Sequence, residues 1–160
     1  MNTVYLLLGG NLGDKEQNLQ QAIKKIEEHA GPIAKRSGIF VTKAWGVEDQ
    51  PDFYNQAICL KTGLDAQELM QKLLWIEEQM GRKRSGDRWQ ERIIDIDILF
   101  FNDAVIDEPG LHVPHPRIQD RRFALVPMAE IAGDLVHPVL KKDISELLEE
   151  CPDQLEVKRL

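Results

Sequence analysis

The sequence predicts an α+β domain with a ferredoxin-like β-α-β-β-α-β order, in which helices cover a sheet and a C-terminal extension follows. Two observations predict this class. The spacing of apolar residues changes from strand-like to helix-like and back along the chain, and Asp and Gly residues mark where the helices begin and end. No repeat, low-complexity tract or linker divides the 160 residues, so we expect one domain over 1–160.

The first strand and the first helix stand at the start of the chain. Residues 3–8 are mostly apolar and predict a strand, and a helix is expected from about Asp14 to Ala30. Asp14 and Gln17 have the spacing of a capping box. The apolar stripe that should face the core consists of Leu19, Ala22, Ile23 and Ile26.

Two strands and a second helix follow. The strands are predicted at 33–43 and 54–62, and an irregular loop with Gly and Pro joins them. The helix is predicted from Asp65 to Met80, with Asp65 and Glu68 as its capping box. Its apolar stripe consists of Leu69, Leu73, Ile76 and Met80.

The remaining elements are shorter. After a strand within 92–101, a turn leads into a short strand at 104–107 and then into a loop rich in Pro and His. A helical region around 121–132 is expected to be interrupted by Pro127. A last helix is expected at roughly 143–150.

Composition excludes several classes of protein. The net charge of −7 argues against nonspecific nucleic-acid binding, and no apolar run approaches the roughly 20 residues of a membrane span. The N-terminus has the pattern of a strand rather than of a signal peptide. Cys59 and Cys151 have neither metal-binding nor redox spacing, and Cys59 is expected in the core. We therefore expect a cytoplasmic monomer whose partners are small molecules, neither nucleic acid nor membrane.

The strand within 92–101 carries two carboxylates in an apolar context. Asp95 and Asp97 should point to one face, opposite the side chains of Ile94, Ile96 and Ile98. Two carboxylates about 6 Å apart repel by roughly 2–3 kcal/mol at an effective dielectric constant near 20. Arginines or a divalent cation would offset this repulsion. Mg²⁺ suits oxygen ligands and commonly binds one or two carboxylates together with substrate phosphates.

A basic segment directly precedes these aspartates. Residues 82–92 contain five basic and two acidic residues, and four of the basic ones are arginines, whose planar guanidinium groups suit phosphate oxygens. Either this segment is a solvated loop, or it is a lid that closes over an anionic ligand. Trp89 within it either packs on the domain or stacks over that ligand.

Glycines and histidines give weaker signals. Gly9, Gly10 and Gly13 lack the spacing of a dinucleotide-binding motif. They favour a tight turn after the first strand, and the alternative is that the edge of a ligand touches this turn. His112 and His115 have neither a Cys nor a third His nearby, which makes zinc improbable. For His115 a hydrogen bond to phosphate or ribose and a plain loop position are equally compatible with the spacing.

Several motifs in order resemble one family. LGGNLGD, DQPDFYN, RWQERIIDIDILFF and VPHPR follow one another over nearly the whole chain, and the central one fits R-x-x-D-[LIV]-D-[LIVM]-[LIVM]. They resemble 6-hydroxymethyl-7,8-dihydropterin pyrophosphokinase, an enzyme of folate biosynthesis. The resemblance implies that a pyrophosphoryl group is transferred from ATP to the hydroxymethyl oxygen of the dihydropterin, releasing AMP.

The resemblance also implies roles for individual residues. Asp95 and Asp97 would hold two Mg²⁺ ions with ATP, and Asp97, Arg82 and Arg92 would be catalytic. The ATP-binding residues would be Glu77, Arg82, Arg84, Arg92, Ile98, His115 and Arg121. The pterin-binding residues would be Thr42, Trp45, Phe53, Asn55, Trp89 and Phe123.

The chain departs from the family pattern at a few positions, and two other functions compete. Gln90 stands where the family signature usually has a small residue, Leu74 where some members have an amide, and His112 where some have a hydroxyl residue. Another metal-dependent nucleotidyl- or phosphoryltransferase would share the Asp-x-Asp strand. An RNA-binding module would share the ferredoxin-like fold, but the acidic charge disfavours it.

Overall fold

A computed structural model of the chain describes residues 1–43, 51–81 and 93–160. In these ranges helices and strands mix along the chain. The strands are β1 (Asn2–Gly10), β2 (Ile33–Arg36), β3 (Phe40–Thr42), β4 (Phe53–Thr62), β5 (Asp95–Phe101), β6 (Ile106–Glu108), β7 (Leu111–Val113) and β8 (Lys158–Arg159). The helices are α1 (Lys15–His29), α2 (Ala66–Gln79), α3 (Arg122–Ala132) and α4 (Ile144–Glu150).

One antiparallel sheet organises the molecule. Its strand order is β5-β1-β4-β3-β8, with β2 also paired to β4, while β6 and β7 form a separate hairpin. Strand β1 therefore lies between β4 and β5. The predicted α+β class is confirmed.

Capping confirms where the first two helices begin. The Asp65 carboxylate accepts the Glu68 N–H and the Glu68 side chain accepts the Asp65 N–H, which completes the predicted capping box of α2. At α1 the Asp14 carboxylate accepts the Gln17 N–H at 3.2 Å.

Three predicted elements differ in detail from the structure. The single strand expected at 33–43 divides into β2 and β3, because the Ser37 hydroxyl accepts the Ala57 N–H at 3.0 Å in place of a backbone ladder bond. Helix α3 runs through Pro127, whose ring is buried, so the predicted interruption is wrong. The loop predicted after the short strand contains β7, which pairs with β6.

The sheet has an apolar layer on each face. On one face α1 and α2 pack on side chains such as Leu6, Leu8 and Ile58. Ile94, Ile96 and Ile98 belong to this layer, as predicted. On the other face α3 and α4 cover a smaller cluster with Leu7, Ala57, Leu99 and Phe100. Asp95 and Asp97 project from this second face, in the part that α3 and α4 leave open.

Cys59 is buried in the sheet, which confirms its predicted core position. None of the helices found in the described ranges combines the length and apolar character needed to cross a membrane.

Candidate active site

A cleft of about 710 Å³ opens on the sheet face that carries α3 and α4. Four elements of the sheet contribute to its floor: Asp95 and Asp97 from β5, Gly9 from β1, Asn55 from β4 and Thr42 from β3. The predicted placement of both aspartates on one face is thereby confirmed. The cleft thus extends across the strands, from two carboxylates at one end to an amide and a hydroxyl at the other.

Strand register aligns the two ends of the cleft. Gly9 pairs with Asp95 on one side and with Asn55 on the other, so these three residues form one row across three strands. Neighbouring strands lie about 4.8 Å apart, which puts Asp95 roughly 10 Å from Asn55 along the sheet. Gly9 between them has no side chain to fill the interval.

Gly9 also makes room for the Asn55 side chain. A Cβ atom at Gly9 would overlap the Asn55 Oδ1 atom. Asn55 is only 5% exposed, and its Nδ2 donates to the Thr42 Oγ1 at 3.3 Å. The amide is therefore held in one orientation at the floor of the cleft. Sequence reasoning placed Gly9 in a turn, but it lies inside β1, and only the strand register shows this contact.

Two half-buried aromatic rings border the same end. Phe53 begins β4, and Phe123 lies in the first turn of α3. The turn after β1 fixes the segment before Phe53, because the Lys15 ammonium donates to the Asp52 carbonyl at 2.9 Å and the Asn11 amide donates to the Pro51 carbonyl at 3.3 Å. This end of the cleft therefore offers apolar ring faces around a buried amide, which suits a flat heterocycle with polar edges.

Glu77 connects α2 to the strand that carries the aspartates. Its side chain is 3% exposed, and its carboxylate accepts the Ile96 N–H at 2.9 Å. Since backbone groups alternate in direction along a strand, the N–H and C=O of Ile98 should point to the same outer edge as those of Ile96. That edge has no partner strand within 1–43, 51–81 and 93–160. The Ile98 side chain itself is buried in the core, so only its backbone is available to a ligand.

His115 is a neutral hydrogen-bond donor beside this edge. Its backbone N–H donates to the Leu99 carbonyl at 2.9 Å, and its Nδ1 accepts the Arg117 N–H at 3.2 Å. Burial, followed by the positive charges of Arg121 and Arg117, lowers the pKa of His115 to about 4. The imidazole is therefore neutral at pH 7, and its proton resides on Nε2.

Cationic side chains line the cleft between these features. Arg121 lies 5.6 Å from the centre of the Phe123 ring, and Arg117 and Lys43 also border the cleft.

His112 is exposed and its Nδ1 lies 2.6 Å from the Asp107 carboxylate. Within the described part of the chain no three His, Cys, Asp or Glu side chains form a metal-binding group.

Some predicted residues lie outside the described part of the chain. They are Trp45, Arg82, Arg84, Trp89, Gln90 and Arg92. Conversely, Asp153 and Leu155 line the cleft although the sequence carries no pattern that predicts it.

Paired carboxylates and cationic side chains beside an aromatic pocket form an arrangement that fits a small transferase of the kinase type. The family model for 7,8-dihydro-6-hydroxymethylpterin-pyrophosphokinase matches residues 5–133, so the chain belongs to this family. The resemblance seen in the motifs is thereby confirmed.

Curated relatives match over most of their length. A 2-amino-4-hydroxy-6-hydroxymethyldihydropteridine pyrophosphokinase of Aquifex aeolicus is 42% identical over 146 residues, covering 91% of this chain and 90% of the relative. The Bacillus subtilis protein of the same name is 44% identical over 131 residues, covering 81% and 78%.

A solved structure shares the fold. Plasmodium falciparum HPPK-DHPS, crystallised with SDX-DHP, has a TM-score of 0.74 and 19% identity. The match covers 94% of this chain but 43% of that longer chain. At this identity the likeness supports the fold alone.

Proposed function

We propose that the chain transfers a pyrophosphoryl group from ATP to the hydroxymethyl group of 6-hydroxymethyl-7,8-dihydropterin and releases AMP. The observation that carries this proposal is the row formed by Asp95, Gly9 and Asn55. It aligns an amide that can recognise a flat heterocycle with carboxylates about 10 Å away, at the reacting end of the cleft. Membership of the family supplies the identity of both substrates.

At the acceptor end, the chain would bind and orient the pterin. Phe53 and Phe123 stack on the two ring faces, and the Asn55 amide donates to and accepts from the ring edge. Thr42 holds that amide in place. Trp45 and Trp89 are proposed to complete the pocket. The substituent of the ring then extends over Gly9 toward the aspartates.

In the reaction, the hydroxymethyl oxygen attacks the β-phosphorus of ATP. The bond between the β-phosphorus and the oxygen that bridges it to the α-phosphorus breaks, and AMP leaves with the electron pair. Asp97 accepts the hydroxyl proton. Most of the rate enhancement is expected from positioning and from charge compensation by arginines. Arg82 and Arg92 are the proposed catalytic arginines.

The carboxylate pair fits magnesium. Asp95 and Asp97 are half-buried, face the cleft, and have no third acidic, His or Cys ligand grouped with them in the described ranges. Mg²⁺ commonly binds such a pair and takes its remaining ligands from phosphate oxygens and water. Two Mg²⁺ ions bound there with ATP would compensate the charge of the triphosphate.

At the donor end, the chain would hold the nucleotide by neutral and cationic donors. The Nε2–H of His115 can donate to a phosphate or ribose oxygen at neutral pH, since its pKa is lowered to about 4. Arg121 and Arg84 are the residues proposed to provide positive charge for the phosphates. The backbone of Ile98 offers a donor and an acceptor to a base, and Glu77 fixes that part of the strand.

The strand order also supports the finer fold assignment. If β2 and β3 are counted as one interrupted strand, the sheet follows the ferredoxin-like arrangement, and the segment after β5 is the C-terminal extension. Cytoplasmic localisation and a monomeric state stay predictions.

A coupled assay of AMP release tests the proposal. Complete reactions contain ATP, the dihydropterin and Mg²⁺, and matched reactions omit one component. We expect AMP and a diphosphorylated pterin only in the complete reaction, and EDTA should abolish both. ADP or inorganic pyrophosphate as the product, or AMP release that does not need the pterin, would overturn the proposal.

A further inference from the structure

The chain after α4 borders the cleft as an extended segment, here called the C-terminal strap (residues 152–160). From Cys151 to Val157 every second residue is half-buried, so one side of the strap faces the protein. Pro152, Asp153 and Leu155 line the cleft. The strap ends in β8, which pairs with Phe40 and Val41 of β3, next to Thr42. It therefore lies at the acceptor end of the cleft, far from the edge strand β5.

Asp153 caps a helix that is distant in sequence. Its Oδ2 accepts the Arg122 N–H at 3.2 Å across 31 residues of sequence, and its Oδ1 accepts the Leu155 N–H at 2.9 Å. Arg121, the N-cap residue of α3, makes no side-chain cap hydrogen bond of its own. The carboxylate also has the favourable sign for the positive end of the helix dipole. One side chain thus fixes both the bend of the strap and the start of α3.

The far end of the strap holds α3 a second time. The Arg159 guanidinium donates to both carboxylate oxygens of Glu130, with distances of 3.1 and 3.2 Å. Glu130 in turn accepts the Gly38 N–H at 2.7 Å, and the Leu160 N–H donates to the Ile39 carbonyl at 2.8 Å. The strap therefore fastens α3 near both of its ends and also joins the sheet edge at β3.

We propose that Asp153 is a positioning residue for the acceptor substrate, acting through the first turn of α3. Phe123 directly follows the residue whose N–H is held by Asp153, so the carboxylate sets where the ring lies over the cleft. Arg121 is less dependent on it, because the Arg121 carbonyl already accepts the N–H groups of Ala124 and Leu125. This inference rests on the proposed function, in which Phe123 stacks on the pterin.

Steady-state kinetics of Asp153→Ala separates positioning from a merely structural role. We expect the KM for the pterin to rise about tenfold, the scale of one hydrogen bond to a charged group, while kcat and the KM for ATP change less than about twofold. Asp153→Asn keeps one acceptor oxygen and should give an intermediate KM. Glu156→Ala is the matched control, since Glu156 is an acidic strap residue with 73% side-chain exposure.

The outcomes are distinct. Equal pterin KM values for Asp153→Ala and Glu156→Ala would overturn the inference, as would parallel increases of both KM values with a lowered melting temperature. If Asp153→Ala is unfolded at the assay temperature, Asp153→Asn is the deciding variant. An intermediate KM for the pterin supports the inference, and a wild-type KM overturns it. Absence of AMP release from the wild type and from Glu156→Ala would instead refute the proposed function.

Discussion

Replacement of Gly9 by alanine tests the row that carries the proposed function. The new Cβ would overlap the Asn55 Oδ1 atom, so the amide has to move or rotate away. When the amide moves, it loses the Asn55–Thr42 hydrogen bond. It also loses one or two hydrogen bonds to the edge of the pterin. At roughly 0.5–1.5 kcal/mol for each of the one or two hydrogen bonds to the pterin, the loss in pterin binding should be about 0.5–3 kcal/mol, which is roughly a two- to 160-fold increase in Kd.

Calorimetric titration with the pterin, in the presence of a nonhydrolysable ATP analogue, measures this change. Gly63→Ala is the matched control, because a Cβ at Gly63 would have no atom within 4 Å. If the effect is transmitted by the amide, Gly9→Ala should add little in an Asn55→Ala background. Wild-type pterin affinity in Gly9→Ala, or full additivity in the double variant, would refute the reasoning.

The remaining predictions concern the carboxylates, the stacking ring and the imidazole. Asp95→Asn and Asp97→Asn should each abolish AMP release without lowering the melting temperature, and near-normal rates in both would reject their assignment. Phe123→Ala should weaken pterin binding by roughly 1–3 kcal/mol in calorimetry, the scale of aromatic–base stacking, and an unchanged Kd would remove the ring from the pocket. The pKa of His115 is lowered from 6.5 to about 4 in the folded protein. Between pH 6.5 and pH 4 the unfolded state therefore binds a proton at His115 that the folded state does not bind. The free energy of unfolding should fall as the pH decreases through this range. Urea unfolding should show that His115→Gln is less sensitive to this pH change than wild type, and equal pH dependence would contradict the assignment.

Local sequence signals predicted most elements but not the contacts between them. The capping residues of α2 and the isoleucines of β5 were predictable, since each depends on neighbours within a few positions. The division between β2 and β3 was not, because it depends on the Ser37 hydroxyl bonding Ala57 from another strand.

The same distinction applies to the site. Asp95 and Asp97 were predicted to share a face, because period-two alternation alone decides it. The role of Gly9 required the register of three strands, and the role of Asp153 required a contact across 31 residues. Neither relation has a signature in a single sequence.

The interval between the amide and the carboxylates is set by main-chain hydrogen bonds. Asp95, Gly9 and Asn55 lie side by side on three neighbouring strands, and Gly9 pairs with each of the other two. Conservative core mutations should therefore change the free energy of unfolding but not the distance between the amide and the carboxylates. Acceptors with a longer or shorter arm would be discriminated by backbone spacing, which point substitutions rarely adjust.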